Sequence, residues 1–183
     1  MDSPSHSDSP NTSCPSDGPR CGITGVVLTF NGERLLDKCL ASLFFCDALL
    51  CVDSGSNDSS LAICEKYNAK VVYNSWRGFD HQFRFAETLV DTRWFFILDQ
   101  DEICPPELGA LIAQAIRNTD ELADTPQDAP VAFSVGRKSW YFDRFMTHGG
   151  WYPDHILRVF RKGYVEFYQD AHIHYRPLGA SEH

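Results

Sequence analysis

From Gly22 onward the apolar residues fall into short runs, and each run stops at a polar cluster. Ile23 to Phe30 is largely apolar and β-branched and predicts a strand. Glu33 to Phe45 carries Leu36, Leu40, Leu43 and Phe44 at helical spacing and predicts a helix. Ala48 to Val52 predicts a short buried strand that stops at Asp53. A turn over Ser54-Gly55-Ser56-Asn57-Asp58 and a helix from Ser59 to Tyr67 follow it. Lys70 to Tyr73 predicts another strand, and Phe79 to Leu89 a helix with Phe79, Phe83, Ala86 and Leu89 near one face. Trp94-Phe95-Phe96-Ile97-Leu98 predicts a buried strand ending at Asp99, with a helix from Pro106 to Arg117 behind it. Residues 118–130 read as a linker or surface loop. Val131–Tyr141 and Ile156–Arg161 read as longer strands on either side of a Gly149-Gly150 turn.

Strand and helix thus alternate four times before the pattern changes. That predicts an α/β fold: a Rossmann-like, mostly parallel sheet flanked by helices, with a smaller C-terminal mixed β part. Residues 1–20 hold Ser, Pro, Asp and Asn with almost nothing apolar, so a disordered tail is expected there and a single domain over 21–183.

Charge narrows the choice of ligand. The net charge of −9 argues against nucleic acid as a partner. It is unevenly spread: residues 1–130 hold nine Lys/Arg and twenty Asp/Glu, whereas residues 131–183 hold seven and five. An acidic part able to hold a metal beside a more basic part fits a cleft for an anionic substrate, and chance scatter of surface charge fits as well. The seven cysteines are odd in number and show no C-x-x-C pair; Cys39, Cys46, Cys51 and Cys64 sit inside apolar patterns. A reducing compartment is therefore expected. No apolar run reaches membrane-spanning length and no signal-peptide core is visible, so the expected location is the cytoplasm, with a peripheral membrane contact left open.

The strongest chemical signal is Asp99-Gln100-Asp101-Glu102 after the Trp94–Leu98 run. On extended backbone Asp99 and Asp101 project to the same side, and hard carboxylate oxygens at a strand end suit Mg²⁺ or Mn²⁺ with a phosphate-bearing ligand. The competing reading is a helix N-terminus before Pro105-Pro106-Glu107. In an open parallel sheet, ligands bind at the carboxyl ends of the strands, which brings Thr29/Asn31, Asp53 and Asp99/Asp101 to one edge. Asp154, after the Gly-Gly turn, is either a general base or a turn cap. Trp151 and Tyr152 beside it either stack on a sugar or are simply packed. Arg158 and Arg161 either contact phosphate or line a solvated strand face. His172 and His174 share a face if their segment is extended, a weak metal-pair signal.

Six segments taken in order resemble the family 2 glycosyltransferases of GT-A fold, and within them the bacterial branch that adds sugars to lipopolysaccharide core. They are Val27-Leu28-Thr29-Phe30-Asn31 with Glu33; Val52-Asp53-Ser54-Gly55-Ser56-Asn57-Asp58; Ala69-Lys70-Val71; Trp76-Arg77-Gly78-Phe79 with Gln82 and Ala86; Leu98-Asp99-Gln100-Asp101-Glu102; and Gly149 to Asp154 with Leu157-Arg158-Val159-Phe160-Arg161. The resemblance implies a metal-dependent, inverting transferase of hexosyltransferase type. Its donor would be a nucleotide-diphosphate sugar, and its acceptor a glycan or lipid-linked molecule in lipopolysaccharide or cell-surface polysaccharide synthesis. Carried over, Thr29, Asn31 and Glu33 line the nucleotide end of the cleft, Asp53 hydrogen-bonds the base, Asp99 lies by the ribose and Asp101 ligates Mg²⁺ or Mn²⁺. Beside these, Ser54, Trp151, Arg158 and Arg161 are candidates for substrate contact. Asp154 is the candidate catalytic base.

Two departures stand out. Gln100 replaces a small residue, and is expected to be tolerated because it points to the opposite strand face. The relatives' His-Glu pair after the Arg-rich strand is replaced by Asp170-Ala171-His172-Ile173-His174-Tyr175, so a shortened or divergent acceptor side is expected. Two alternatives remain: a non-catalytic nucleotide-sugar-binding module, and a metal-dependent phosphatase. The second is weakened because the first strand ends in Thr29-Phe30-Asn31 without a carboxylate.

Overall fold

The structure is a computed structural model that describes residues 22–122, 129–146, 148 and 152–182. The expected tail (1–20), the Gly149-Gly150 turn and Trp151 lie outside the described residues.

Four strand–helix units come first: β1 (Ile23–Thr29), α1 (Leu36–Ser42), β2 (Ala48–Asp53), α2 (Ser60–Lys66), β3 (Lys70–Tyr73), α3 (Phe79–Leu89), β4 (Trp94–Ile97) and α4 (Pro106–Leu122). Strands follow: β5 (Ala132–Arg137), β6 (Trp140–Tyr141), β7 (Arg144–Phe145), β8 (Asp154–Arg161), β9 (Val165–Gln169), β10 (Ile173–Pro177) and β11 (Ser181–Glu182). The main sheet runs β11-β5-β8-β4-β1-β2-β3. β1 pairs in parallel with β2 and β4, and β2 with β3. β8 runs antiparallel to both β4 and β5. The carboxyl ends of β1, β2, β4 and β5 and the amino end of β8 therefore meet at one edge. The chain winds outward from β1 to β3 and then crosses back to β4, so a switch point falls between β1 and β4, where an open sheet leaves a crevice. The expected fold class is what the structure has.

Both sheet faces are buried, which explains the unbroken apolar runs. On β4 and just past its end, Trp94, Phe96 and Leu98 enter one core with Leu36, Leu40 and Ile116. Phe95 and Ile97 enter the other with Phe83, Ala86 and Phe160. Each such fully buried Leu, Ile or Phe contributes about 1.5–3 kcal/mol. The second core also holds the β9–β10 hairpin. Phe167 and Tyr175 pack on Phe83 and Phe160 in four contacts with ring centroids 5.7, 6.0, 6.3 and 5.4 Å apart. This aromatic cluster carries the hairpin's turn over the carboxyl edge of the sheet.

Boundaries differ from expectation in three places. α1 is only Leu36–Ser42, because residues 33–35 form a turn stapled to the β2–α2 loop. α4 continues through Leu122, taking up the first part of the expected linker. The expected long strand over Val131–Tyr141 is β5 followed by a separate β6–β7 hairpin.

Candidate functional site

A cleft of about 640 Å³ opens at the switch point, lined by Thr29, Ser54, Asp99, Asp101, Arg158 and His172 among others. Its acidic rim is not extended strand: β4 ends at Ile97, and Asp99–Glu102 form a turn in which the Glu102 N–H donates to the Asp99 carbonyl at 2.9 Å. The side chains of this turn have separate tasks. Asp99 accepts from the Arg158 guanidinium at 2.8 Å, and Glu102 accepts from the same nitrogen at 2.8 and 2.9 Å. The Arg158 side chain is only 5% exposed. Burial opposes its charge, but Asp99 and Glu102 outweigh this and hold it above the ordinary guanidinium value. Burial pushes the Glu102 carboxyl up, against the pull of Arg158. Asp101, by contrast, is exposed, lines the cleft and has no hydrogen-bond or ion-pair partner among the described residues.

Arg158 reaches this position through a β-bulge. Phe133 pairs with Val159 and Ser134 with Leu157, so Arg158 is the extra residue of β8. A bulge re-aims one side chain and resets the alternation after it. Arg158, read from the sequence as a phosphate contact or part of a solvated strand face, is buried, lines the cleft and has its guanidinium engaged by the acidic turn. Arg161 lies opposite Trp94, at the far end of β4 from the cleft, and is not among the lining residues.

Gln100 is more than tolerated. Its amide accepts from the Phe30 N–H at 3.0 Å and donates to the Phe30 carbonyl at 3.1 Å. It thereby ties the acidic turn to the end of β1. A Cβ at Gly32 would lie 2.4 Å from Gln100 Oε1, so any larger residue there would push the Gln100 amide aside.

The nucleotide-end candidates divide. Thr29 and Ser54 line the cleft, and Thr29 Oγ1 is buried with no hydrogen-bond partner among the described residues. Asp53 is 4% exposed and serves its own turn: its oxygens accept from Gly55 N–H at 2.8 Å, Ser56 N–H at 3.0 Å and Ser56 Oγ–H at 2.5 Å. Asn31 and Glu33 staple two loops. Asn31 Oδ1 accepts from Asn57 N–H at 2.9 Å and Glu33 Oε2 from Ser59 N–H at 3.1 Å. Neither lines the cleft.

On the other wall Asp154 accepts from Arg137 Nη2 at 2.7 Å and Nε at 3.0 Å, and does not line the cleft, whereas Arg137 does. Trp151 lies outside the described residues. The two histidines part company. His172, exposed in the β9–β10 turn, faces the cleft, while His174 pairs with Asp170 at 3.0 Å and stacks on Tyr168. Among the described residues no three His, Cys, Asp or Glu side chains converge to cage a metal.

The sequence reading missed Arg137, Gln169 and Tyr175 at the cleft. Gln169 accepts from the Phe79 N–H at 2.8 Å, completing the start of α3 from 90 residues away. No local signal marks such a contact. Burial pushes the Tyr175 phenol to about 12, so it stays protonated beside Arg158.

The family model described as "Glycosyl transferase family 2" matches residues 25–174. The chain is similar to the lipopolysaccharide core biosynthesis glycosyltransferase LpsC of Rhizobium meliloti (strain 1021), 26% identical over 166 residues, 85% of this chain and 57% of LpsC. It is similar also to the uncharacterized glycosyltransferase RC0292 of Rickettsia conorii, 36% identical over 87 residues, 47% of this chain and 31% of that protein. The chain thus spans a little over half of LpsC and about a third of RC0292. Among solved structures, S. aureus TarS 1–349 aligns with a TM-score of 0.48 at 24% identity, covering 54% of this chain and 33% of that one.

Proposed function

The chain belongs to glycosyl transferase family 2, and from that premise we propose that it binds a nucleotide-diphosphate sugar in the switch-point cleft and transfers the sugar with inversion to a glycan or lipid-linked acceptor. The observation that carries the reading is the division of labour in the acidic turn. Asp99 and Glu102 are engaged by Arg158, which leaves Asp101 as an exposed carboxylate at the cleft. Mg²⁺ binds through one or two carboxylates plus substrate phosphates rather than an all-protein cage, and Mn²⁺ shares its taste for oxygen. A lone free carboxylate therefore fits better than the absence of a three-ligand cluster suggests. The metal would supply charge neutralisation on the departing diphosphate. Thr29 and Ser54 would line the nucleotide end. Asp53 would act there through the turn it holds, and Asp99, fixed by Arg158, would sit near the ribose.

Inversion requires a base on the acceptor wall, opposite the leaving diphosphate. Asp154 is the proposed base, which demands that acceptor binding release it from Arg137. A second reading has a specific observation in its favour: His172 already faces the cleft, with no such side-chain partner among the described residues. Asp154→Asn should lower turnover by roughly 10²–10⁴-fold at unchanged donor affinity; a loss of that size in His172→Ala alone transfers the role. The similarity to LpsC, a lipopolysaccharide core biosynthesis glycosyltransferase, supports an acceptor in that synthesis. A phosphatase reading fares worse, because the residues ending β1 bring no carboxylate to the cleft: Glu33 is turned to Ser59.

Calorimetry with nucleotide sugars and Mn²⁺ or Mg²⁺ tests the donor site. Binding that depends on the metal, and that is lost in Asp101→Ala at unchanged melting temperature, is expected. Equal metal-dependent affinity in the variant overturns the assignment. Donor binding without transfer to any acceptor gives the chain to the binding-module alternative.

A further inference from the structure

Gln82, a polar residue near the start of α3, is fully buried beside Phe83 and Ala86. A buried amide needs its donors and its acceptor matched. Gln82 finds its partners just past the ends of two strands. Its Oε1 accepts from Asn74 Nδ2 at 2.5 Å, and its Nε2 donates to the Asn74 carbonyl at 2.9 Å and to Ser54 Oγ at 3.1 Å. A carbonyl can only accept, so the Gln82 nitrogen must face it, and this fixes the amide in one orientation. Both neighbours are themselves held by backbone. The Asn74 N–H donates to the Asp53 carbonyl at 2.8 Å, and the Ser54 N–H to the Thr29 carbonyl at 3.0 Å. The ends of β1, β2 and β3 thus share one network with α3, and one of its members, Ser54, lines the cleft.

We propose that Gln82 is a positioning residue: it holds the Ser54 hydroxyl so that its proton turns to the cleft and donates to an oxygen on the nucleoside half of the bound ligand. The inference rests on the nucleotide-sugar reading above and deepens it. The direction of one hydrogen bond carries it. An amide nitrogen donates and does not accept, so Ser54 Oγ is the acceptor in its bond to Gln82 and keeps its own proton unspent. No described residue takes that proton, and the side chain faces the cleft. A network that only tied β3 to α3 would be complete with Asn74; the second N–H of Gln82 is spent on Ser54 instead. Distance decides which part of the ligand receives the proton. Ser54 follows β2 and Asp101 follows β4, with β1 between those strands. Neighbouring strands lie about 4.8 Å apart, which separates the two ends by about 10 Å. A diphosphate held through a metal at Asp101 falls short of Ser54, whereas the nucleoside attached to it spans the gap. The receiving atom is a ribose hydroxyl oxygen or a base carbonyl oxygen, both of which accept.

Calorimetry of the full chain with Mn²⁺ tests this, using the tightest binder among uridine, cytidine, guanosine and adenosine 5′-diphosphate. Ser54→Ala and Gln82→Met should each weaken binding on the order of five- to tenfold, the scale of one hydrogen bond. The double variant should lose no more than Ser54→Ala alone, because Gln82 acts through the hydroxyl. Gln82→Met also strips Asn74 of its partners and lowers the melting temperature, so a measurement on the parent stands beside it. The Gln82 side-chain NH₂ signals in a ¹⁵N spectrum should shift when the nucleotide is added, and should stay in place in Ser54→Ala. Undiminished affinity in Ser54→Ala, additive losses in the double variant, or Gln82 signals that ignore the nucleotide overturn the proposal and leave the transferase reading standing. The 2′-deoxy and 3′-deoxy analogues separate the two acceptors. A Ser54→Ala loss that vanishes with one analogue assigns the hydroxyl which that analogue lacks, and a loss that persists with both assigns the base; each supports the positioning role. A parent that binds none of the four diphosphates sinks the donor reading, and the inference with it.

Discussion

At the scale of single residues, the cleft depends on side chains whose partners lie far off in sequence. Gln100 shows the point. Its type is unremarkable in a polar turn, and the strand pattern suggests only that it faces away from Asp99 and Asp101. Folded, its amide imitates one rung of a β-ladder to Phe30 and fills the space a Cβ at Gly32 would take. Alanine at position 32 pushes the Gln100 amide aside and breaks both bonds, so Gly32→Ala and Gln100→Ala remove the same contact. Each should cost on the order of 1 kcal/mol in chemical denaturation. The double variant should cost clearly less than the sum of the two, because in it the added methyl meets empty space. Additive costs in that cycle would mean that the two residues act independently. The acidic residues were legible as a group, since a carboxylate cluster after a buried run is rare. Their division into one free and two neutralised members was not, because the neutralising Arg158 enters from a strand more than fifty residues later.

At the scale of elements, the parallel half could be read almost strand by strand. A strand buried on both faces must be apolar throughout, and the observed bounds of β2, β3 and α3 lie within a residue of the reading. The antiparallel half was harder. Its strands are held by pairing and by the aromatic cluster rather than by local propensity, and β9 and β10 carry polar residues on their open face. The bulge at Arg158 is the clearest case: the run Ile156-Leu157-Arg158-Val159-Phe160-Arg161 has no period-2 alternation to locate it, and only pairing with β5 exposes the extra residue. That bulge places a buried cation between two carboxylates. Arg158→Met should therefore cost about 3–5 kcal/mol near neutral pH, the scale for stranding buried charge. The deficit has a pH sign. Burial already raises Glu102, and without Arg158 its carboxyl rises further. A group raised in the folded state favours folding in its protonated form, so the variant's deficit should shrink as pH falls through the carboxylate range. Denaturation curves at pH 7 and pH 4.5 check this, and a deficit unchanged between them would show the loss to be one of packing. Adding Glu102→Gln should recover part of it at pH 7.

At the scale of the whole molecule, the edge where the site lies was legible because parallel topology dictates it: the carboxyl ends of β1, β2 and β4 had to meet. The far wall was not, since it is built by β8 and a hairpin brought in by rings from both halves of the chain. Folding both halves into one body also buries groups that titrate in alkali. Burial pushes the Cys104 thiol from an ordinary 9.0 to about 12 and the Tyr175 phenol from 10.0 to about 12. Both groups are raised in the folded state, so their contribution to stability is fully present below the unfolded values. It is lost as pH climbs from those values towards 12, because the unfolded chain sheds protons that the folded chain retains. Each group steepens the decline by about 1.4 kcal/mol per pH unit within its window. Under reducing conditions the free energy of unfolding should hence be flat with respect to these two groups from pH 7 to 8.5 and fall between pH 9.5 and 11. Cys104→Ala lowers stability at pH 7 by leaving a small cavity among Ile112 and its neighbours, yet it should cut the alkaline slope by about one proton. Tyr175→Phe should act in the same way from pH 10 upward. The two variants act at sites on opposite faces of the sheet, so their effects on the slope should add. Variant and parent curves that stay parallel between pH 9.5 and 11 would mean that neither group is shielded in the folded chain, and that the two cores open to solvent before they titrate.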